Sequence, residues 1–323
     1  MKRYLTYDDV NIVPKYSELE SRGDVDLTSR LTKNIELQIP IVSSPMDTVT
    51  GFEMAWAISH LGGIGFIHRF MDIERQSELV ASLGNLKVGA AVGVTGDYLE
   101  RAKELVKNGC NVILIDVAHG HHKLVKKAVE EFKNEFGTTV EIIGGCIATK
   151  EATKDLCEWG VDGLRVGVGN GSLCETRIRT GVGLPQVTAL LDVCSVADGY
   201  DVPVIADGGI RNVGDVCKGL GCGADTIMVG SLLSGTKESP GSIEKIGQWP
   251  NEQLFKKYRG SASLDSKLDR GEDENVEGNH KVIPYKGKVK RIIGDIEDGI
   301  RSSCSYVGAS NLEEFRSLVE FIK

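Results

Sequence analysis

Residues 87–115 read KVGAAVGVTGDYLERAKELVKNGCNVILI, and this stretch decides the fold. Residues 87–92 and 111–115 are short apolar runs. Between them, 97–108 (DYLERAKELVKN) places Leu99, Ala102 and Leu105 with Val106 on one face at helical spacing and stops at Gly109. An apolar run, an amphipathic helix and a second apolar run make a βαβ unit. The runs are apolar throughout rather than alternating, the pattern of strands covered on both faces in a parallel sheet.

The unit repeats along the chain. Runs at 39–43 (IPIVS), 64–67 (IGFI), 140–144 (VEIIG), 163–167 (GLRVG), 203–206 (PVIA) and 225–229 (DTIMV) bring the total to eight. A helix predicted over 121–135 carries Leu124, Ala128, Val129 and Phe132 on its apolar face, with charges opposite. Eight units favour an α/β fold closed as a (β/α)8 TIM barrel over an open doubly wound sheet. The chain of 323 residues reads as a single catalytic barrel domain over 1–323. Three segments stand outside the repeat: 1–38, a loop at 168–184 after the sixth strand, and a polar, Gly-rich flap at 257–290. Both long loops follow strands on the side where barrel enzymes place their chemistry. Helices at about 291–303 and 311–322 close the chain.

Composition narrows the function. With 41% hydrophobic and 26% charged residues, the chain has ample core for one large domain. A formal net charge of −8 does not suit a protein that coats nucleic acid, so any phosphate must be held locally by backbone N–H groups. The eight cysteines form no CxxC pair and read as reduced thiols. The N-terminus MKRYLTYDDV has no apolar signal region, and no apolar run reaches 18 residues. The expectation is a cytoplasmic protein with no membrane partner.

The loop after the sixth strand, GVGNGSLCETRIRTGVGLPQ, alternates Gly167, Gly169 and Gly171 before Cys174. Carbonyls of such a loop can ligate a cation, and a thiol on it beside Arg177 and Arg179 is a candidate nucleophile. The other seven cysteines lie within or beside predicted elements and read as packing residues. The seventh strand ends in Asp207-Gly208-Gly209 and the eighth in Gly230-Ser231, the usual phosphate positions of this fold, with Asp207 placed for a ribose hydroxyl pair. The fourth strand ends in Asp116-Val117-Ala118-His119-Gly120-His121-His122. No carboxylate or Cys partner at metal spacing accompanies these histidines, so an Asp116 that orients a cofactor amide is the more economical reading. On the flap, one of Glu272, Asp273, Glu274 and Glu277 is a candidate general acid once the flap closes.

These segments resemble the IMP dehydrogenase/GMP reductase family. The resemblance covers nearly the whole chain: LTYDDVNIVP, SSPMDTVT, GIGFIH, the Cys174 loop, IADGGIRNVGD, MVGSLLSGTKESPG, YRGSASL, VIPYKG and IRSSCSYVGASN. It implies that Cys174 adds to C2 of a purine nucleoside monophosphate. Dehydrogenases then pass hydride to NAD and hydrolyse the adduct; reductases expel ammonia from GMP and take hydride from NADPH. The absence of an inserted domain, a flap in which Arg270 is followed by Gly271 rather than Tyr, Thr180, and the segments SSCSYVGAS and SRGDVDL point toward the reductase, with the dehydrogenase as the alternative. By resemblance the reductase's Thr–Glu pair falls on Thr176 and Glu277, which would relay a proton to the departing amine. Substrate contacts fall on Ser172, Asp207, Gly208, Gly209, Gly230, Ser231, Tyr258, Gly260, Ser261, Ala262 and Gly278. NADPH contacts fall on Arg69, Asp116, Val117, Ala118, Gly169, Ser302, Ser303, Cys304 and Ser305, with Ser21 and Arg22 supplied by a neighbouring subunit of a homotetramer. A potassium ion is expected on the carbonyls of Gly169, Gly171 and Cys174. Asn170, Glu175, Ser261, His119 and Glu274 depart from the reductase pattern, Asn170 standing where the family usually has Pro.

Overall fold

The computed structural model describes residues 4–248, 251–272 and 274–323. Eight parallel strands close on themselves: β1 (Ile41–Ser43), β2 (Ile64–Ile67), β3 (Val88–Val92), β4 (Val112–Ile115), β5 (Glu141–Ile147), β6 (Gly163–Val166), β7 (Val204–Asp207) and β8 (Thr226–Val229). Each pairs with its sequence neighbour, and β8 returns to β1 through Ile227↔Ile41, Met228↔Val42 and Val229↔Ser43. All eight predicted runs are strands of this barrel.

Alternation along each strand divides the core. In β4, Val112 and Leu114 join an inner cluster with Val42, Ile64, Phe66, Ile143, Ile205 and Met228, whereas Ile113 and Ile115 face the helices. Phe66 lies across from Gly89 on the neighbouring strand, and a Cβ at Gly89 would come within 2.3 Å of the Phe66 ring. Glycine there is the space that the ring fills. A short hairpin, Ser29–Arg30 with Glu36–Leu37, carries Leu31 and Leu37 into the same inner cluster.

Helices α1 (Phe52–His60), α2 (Ile73–Ser82), α3 (Tyr98–Lys107), α4 (Lys123–Phe136) and α5 (Lys150–Trp159) follow the first five strands. Then come α6 (Thr176–Thr180) and α7 (Gln186–Ala197) after β6, and α8 (Val213–Gly221) after β7. Side-chain caps start several of them: Asp72 accepts from the Arg75 N–H at 2.7 Å and Asn212 from the Asp215 N–H at 3.0 Å. The buried stripes sit slightly off the predicted ones. In α3 it is Tyr98, Arg101, Ala102 and Leu105 that are buried, and in α4 Val125 rather than Leu124, because Val125, Ala128, Val129 and Phe132 make the i, i+3, i+4, i+7 stripe.

The C-terminal segments differ from expectation. The flap is built rather than loop-like: β9 (Glu244–Ile246), β10 (Gln253–Arg259) and β11 (His280–Pro284) form an antiparallel sheet, with α9 (Leu264–Leu268) between the last two. Then α10 runs over Val289–Val307, longer than predicted, and α11 over Leu312–Leu318. Phe321–Ile322 is a strand paired with Asn11–Ile12, not the last turn of a helix. Among the described residues no helix is long and apolar enough to cross a membrane.

Phe66 has no exposure and packs inside the closed barrel. Replacing it with Ala should lower unfolding free energy by about 3–5 kcal/mol, read from the urea midpoint.

Candidate active site

The barrel closes with all strand C-terminal ends on one face, and there the loops after β1, β2, β4, β6 and β7 and the flap enclose a cavity of about 470 Å3. Cys174 lines it and is half-buried. Its thiol lies 3.2 Å from Thr176 Oγ1, which in turn donates to Glu277 Oε2 at 2.7 Å. A carboxylate oxygen accepts only, so the chain of donors runs from thiol to hydroxyl to carboxylate.

Backbone pairing assembles this relay. The Glu175 N–H donates to Glu277 O at 2.8 Å, Asn279 N–H to Leu173 O at 3.0 Å, and Glu277 N–H to Ala262 O at 3.1 Å. Cys174 and Gly278 form a β-bridge across this ladder. A Cβ at Gly278 would meet Ser263 N at 2.8 Å, so the tight crossing requires glycine. Glu277 is thus the flap acid that meets Cys174, through Thr176. Glu272 is engaged elsewhere: burial would raise its pKa, but Arg270 and Lys267 hold it below the usual range. Glu274 is exposed and does not line the cavity, and Asp273 lies outside the described residues.

At the opposite wall, Ser172 Oγ and the buried Tyr258 hydroxyl are 3.2 Å apart, and burial raises the Tyr258 pKa. Gly208 lines the cavity with φ +93, where a Cβ would press on Asn170. Gly209, Gly230 and Ser231 sit behind this wall rather than on it, and the Ser231 hydroxyl is spent on Ile210 O at 3.1 Å. Among the described residues, no hydrogen bond takes the backbone N–H of Gly208, Gly209, Gly230 or Ser231. Gly260, Ser261 and Ala262 complete the flap side of the cavity.

The floor holds a charge network that sequence reading missed. Arg165, on β6, donates to Asp116 Oδ1 at 2.7 Å and to Asp207 Oδ2 at 2.8 Å, with its side chain only 9% exposed. Burial alone would lower its pKa; the charges of Asp207 and Asp116 outweigh that and raise it. The signal was an arginine inside the apolar run GLRVG, since a charge in a covered strand requires partners. Beside it, Arg69 reaches Asp116 at 3.6 Å, and Val117 and Ala118 line the cavity. Phe70 is stacked between Arg69, at 5.1 Å, and the flap residue Arg270, at 4.5 Å. A barrel aromatic therefore clasps the flap.

Other expected residues do not reach this cavity. Ser21, Arg22, Ser302, Ser303 and Ser305 lie apart from it, where Arg22 donates to Ser302 Oγ at 3.0 Å and covers the Tyr306 ring at 5.5 Å. Cys304 is fully buried on the inner face of α10, so it offers no contact to a cofactor. His121 has a carboxylate partner after all, Asp155 at 2.8 Å, but a fold contact across 34 residues is not legible as spacing. His122 caps α4, and no group of metal-ligating side chains is present among the described residues. For a potassium ion, Gly171 O already accepts the Cys174 N–H at 3.0 Å, and the Arg177 side chain packs against Gly169. The Cys loop holds a cation of its own, and its residues do not fit a second.

The chain matches the IMP dehydrogenase / GMP reductase domain over residues 4–323. It belongs to that family. Among its relatives, the inosine-5′-monophosphate dehydrogenase of Cryptosporidium parvum is 38% identical, with 96% of this chain and 89% of the relative covered. That of Borreliella burgdorferi is 36% identical over 100% of this chain and 94% of its own length, and that of Nitrosopumilus maritimus 32% over 100% and 96%. The chain is therefore a purine nucleotide oxidoreductase of a family that uses a nicotinamide cofactor. These relatives carry the dehydrogenase name, where the sequence reading leaned toward the reductase.

Cysteine chemistry separates cleanly in this chain. Burial pushes the thiols of Cys110, Cys146, Cys222 and Cys304 up to about 12 and those of Cys157 and Cys217 up to about 11, and raises Cys194 as well. Limiting iodoacetamide at about pH 7.5 should therefore alkylate Cys174 before any other cysteine, as peptide mass spectrometry would record.

Proposed function

We propose that this chain oxidises IMP to XMP with NAD through a covalent adduct between Cys174 and purine C2, as one catalytic barrel domain. The observation that carries the reading is the likeness to dehydrogenases along the whole chain. The Cys174–Thr176–Glu277 line supplies a proton path that either reaction of the family would use.

The residues divide the work. The unpaired N–H of Gly208, with Ser172 and Tyr258 on the cavity wall, suits the 5′-phosphate, and those of Gly209, Gly230 and Ser231 lend positive potential from behind it. Asp207, oriented by Arg165, suits the ribose diol. Gly260, Ser261, Ala262 and Gly278 form the purine side. Arg69, Asp116, Val117, Ala118 and Gly169 suit the nicotinamide half of the cofactor. A bound nicotinamide accepts hydride from C2. In the first half-reaction the Cys174 proton leaves along Thr176 to Glu277 as the S–C2 bond forms. Glu277 sheds that proton to solvent between the half-reactions; in the second, water adds to C2, its proton takes the same path, and the thiolate departs and takes that proton back through Thr176. Both steps need a base at the end of the relay, which a carboxylate supplies. The flap closes this site through Arg270 on Phe70 and the ladder to the Cys loop. In a homotetramer, Ser21 and Arg22 would reach a neighbour's cofactor.

A second reading, NADPH-dependent reduction of GMP to IMP and ammonia, is favoured by the flap's lack of an Arg-Tyr pair, since Arg270 precedes Gly271. There the same relay runs in reverse, with a protonated Glu277 delivering its proton to the departing amine.

Absorbance of reduced nicotinamide decides between them. IMP with NAD should give a gain of signal; loss with GMP and NADPH, and no gain with IMP, would make the chain a reductase. Glu277→Gln should slow steady-state turnover of IMP about 100-fold and slow the pre-steady-state burst of reduced cofactor as well, because both half-reactions send a proton to this carboxylate. A burst of unchanged rate would remove Glu277 from the first half-reaction.

A further inference from the structure

The Arg177 side chain lies inside the Cys loop. It runs between Gly169 and Gly183, where an added Cβ would meet Arg177 Cγ at 2.7 and 2.6 Å. Its guanidinium donates to Leu184 O at 2.6 Å and to the side-chain oxygen of Asn170. Its Nε is buried with no hydrogen-bond partner. The neighbouring Arg179 pairs with Glu175 at 3.1 Å, but Arg177 has no carboxylate partner among the described residues. A full positive charge surrounded by amide and carbonyl oxygens, with no counter-charge, has the ligand chemistry of a bound monovalent cation.

Asn170 ties this charge to the barrel. Its Nδ2 donates to Gln186 Oε1 at 2.5 Å, and Gln186, almost wholly buried, donates onward to Val166 O at 2.8 Å and Asp207 O at 3.1 Å. An unbroken line of side-chain hydrogen bonds thus runs from the ends of β6 and β7 to the guanidinium, which bonds across the loop to Leu184. A proline at 170 would break the line twice. It has no oxygen to accept from Arg177 and no N–H to donate to Gln186.

The geometry points to Arg177, held by Asn170, as a built-in cation that orders the Cys174 loop in place of a bound monovalent ion. A second cation on the carbonyls of the same short loop would be repelled by the first. The positioning of Cys174 is then independent of potassium. Arg177 and Asn170 are positioning residues: they act on the loop that carries the nucleophile.

Two measurements on the unaltered enzyme test this, and the first needs no substrate. Cys174 alkylation by iodoacetamide and steady-state turnover are each measured in potassium chloride and in choline chloride at equal ionic strength, choline being too large for a carbonyl site. Both rates should agree within about threefold, since an ion that does not bind cannot shift the loop's equilibrium. A larger, saturable stimulation by potassium of either rate would overturn the proposal. Asn170→Pro supplies the complementary arm. Trypsin cleavage after Arg177 or Arg179 should accelerate about tenfold as the loop loosens, and turnover should fall through kcat more than through KM. Unchanged cleavage would refute the line through Asn170. If the proline variant does not fold, Asn170→Ala removes the same two hydrogen bonds and is read in the same way.

Discussion

Closure of β8 onto β1 is the constraint on which everything else rests. Three residues on each strand make that seam. Once it forms, eight strands must share one direction and one tilt, and their C-terminal ends converge on a single rim. Residues far apart in sequence then become neighbours. Asp116 ends one strand region and Asp207 another, and Arg165 on β6 reaches both. An open sheet of the same strands would spread these groups along an edge. The inner layer of Val42, Phe66, Leu114 and Met228 keeps the seam shut, and Gly89 yields the volume that Phe66 takes up.

The rim alone does not make a reaction site. The barrel offers a thiol on a glycine-rich loop and a charged floor; the flap offers the acid. What joins them is main-chain pairing between 173–175 and 277–279, strengthened by the glycine crossing at 278. Side-chain contacts then fix the flap from the other side: Arg270 on Phe70, and Arg259 on Asp47 at 2.7 Å. The Cys174 loop is held from both directions, by the flap through its backbone and by the barrel through Gln186, Asn170 and Arg177. The flap ladder is formed by backbone atoms, so it tolerates change in side chains. The strut to the barrel is formed by side chains, so it depends on Asn170 being an amide.

Much of this was legible early, and the gaps have physical causes. The eight strands were readable because burial on both faces leaves a local mark in the sequence. Cys174 stood out as the candidate among eight cysteines because it sits in a long glycine-rich loop, whereas the others lie within or beside strands and helices. Three kinds of feature were not readable. Flap strands β10 and β11 mix charge with apolar residues, because one side of that sheet faces solvent, and they read as loop. The cofactor segment around Ser302–Ser305 matched a motif, but the helical phase of α10 turns Cys304 inward. Arg177 read as a charge that could activate the thiol, yet it is committed to oxygens of its own loop.

By itself, the amino-acid sequence determined the barrel and the family and singled out Cys174 as the candidate thiol, because strand and helix periodicity and the glycine-rich loop are local properties. Only the tertiary structure decided that Glu277, named from the sequence by resemblance alone, lies in a hydrogen-bonded line with Cys174, that Arg165 binds two carboxylates together, and that the Cys loop carries its own cation. Each of these is a meeting of residues across strands or loops: Thr176 and Glu277 are 101 positions apart, and Arg165 and Asp116 are 49. Spacing in a sequence says nothing of such distances until the barrel closes and the flap is laid across its mouth.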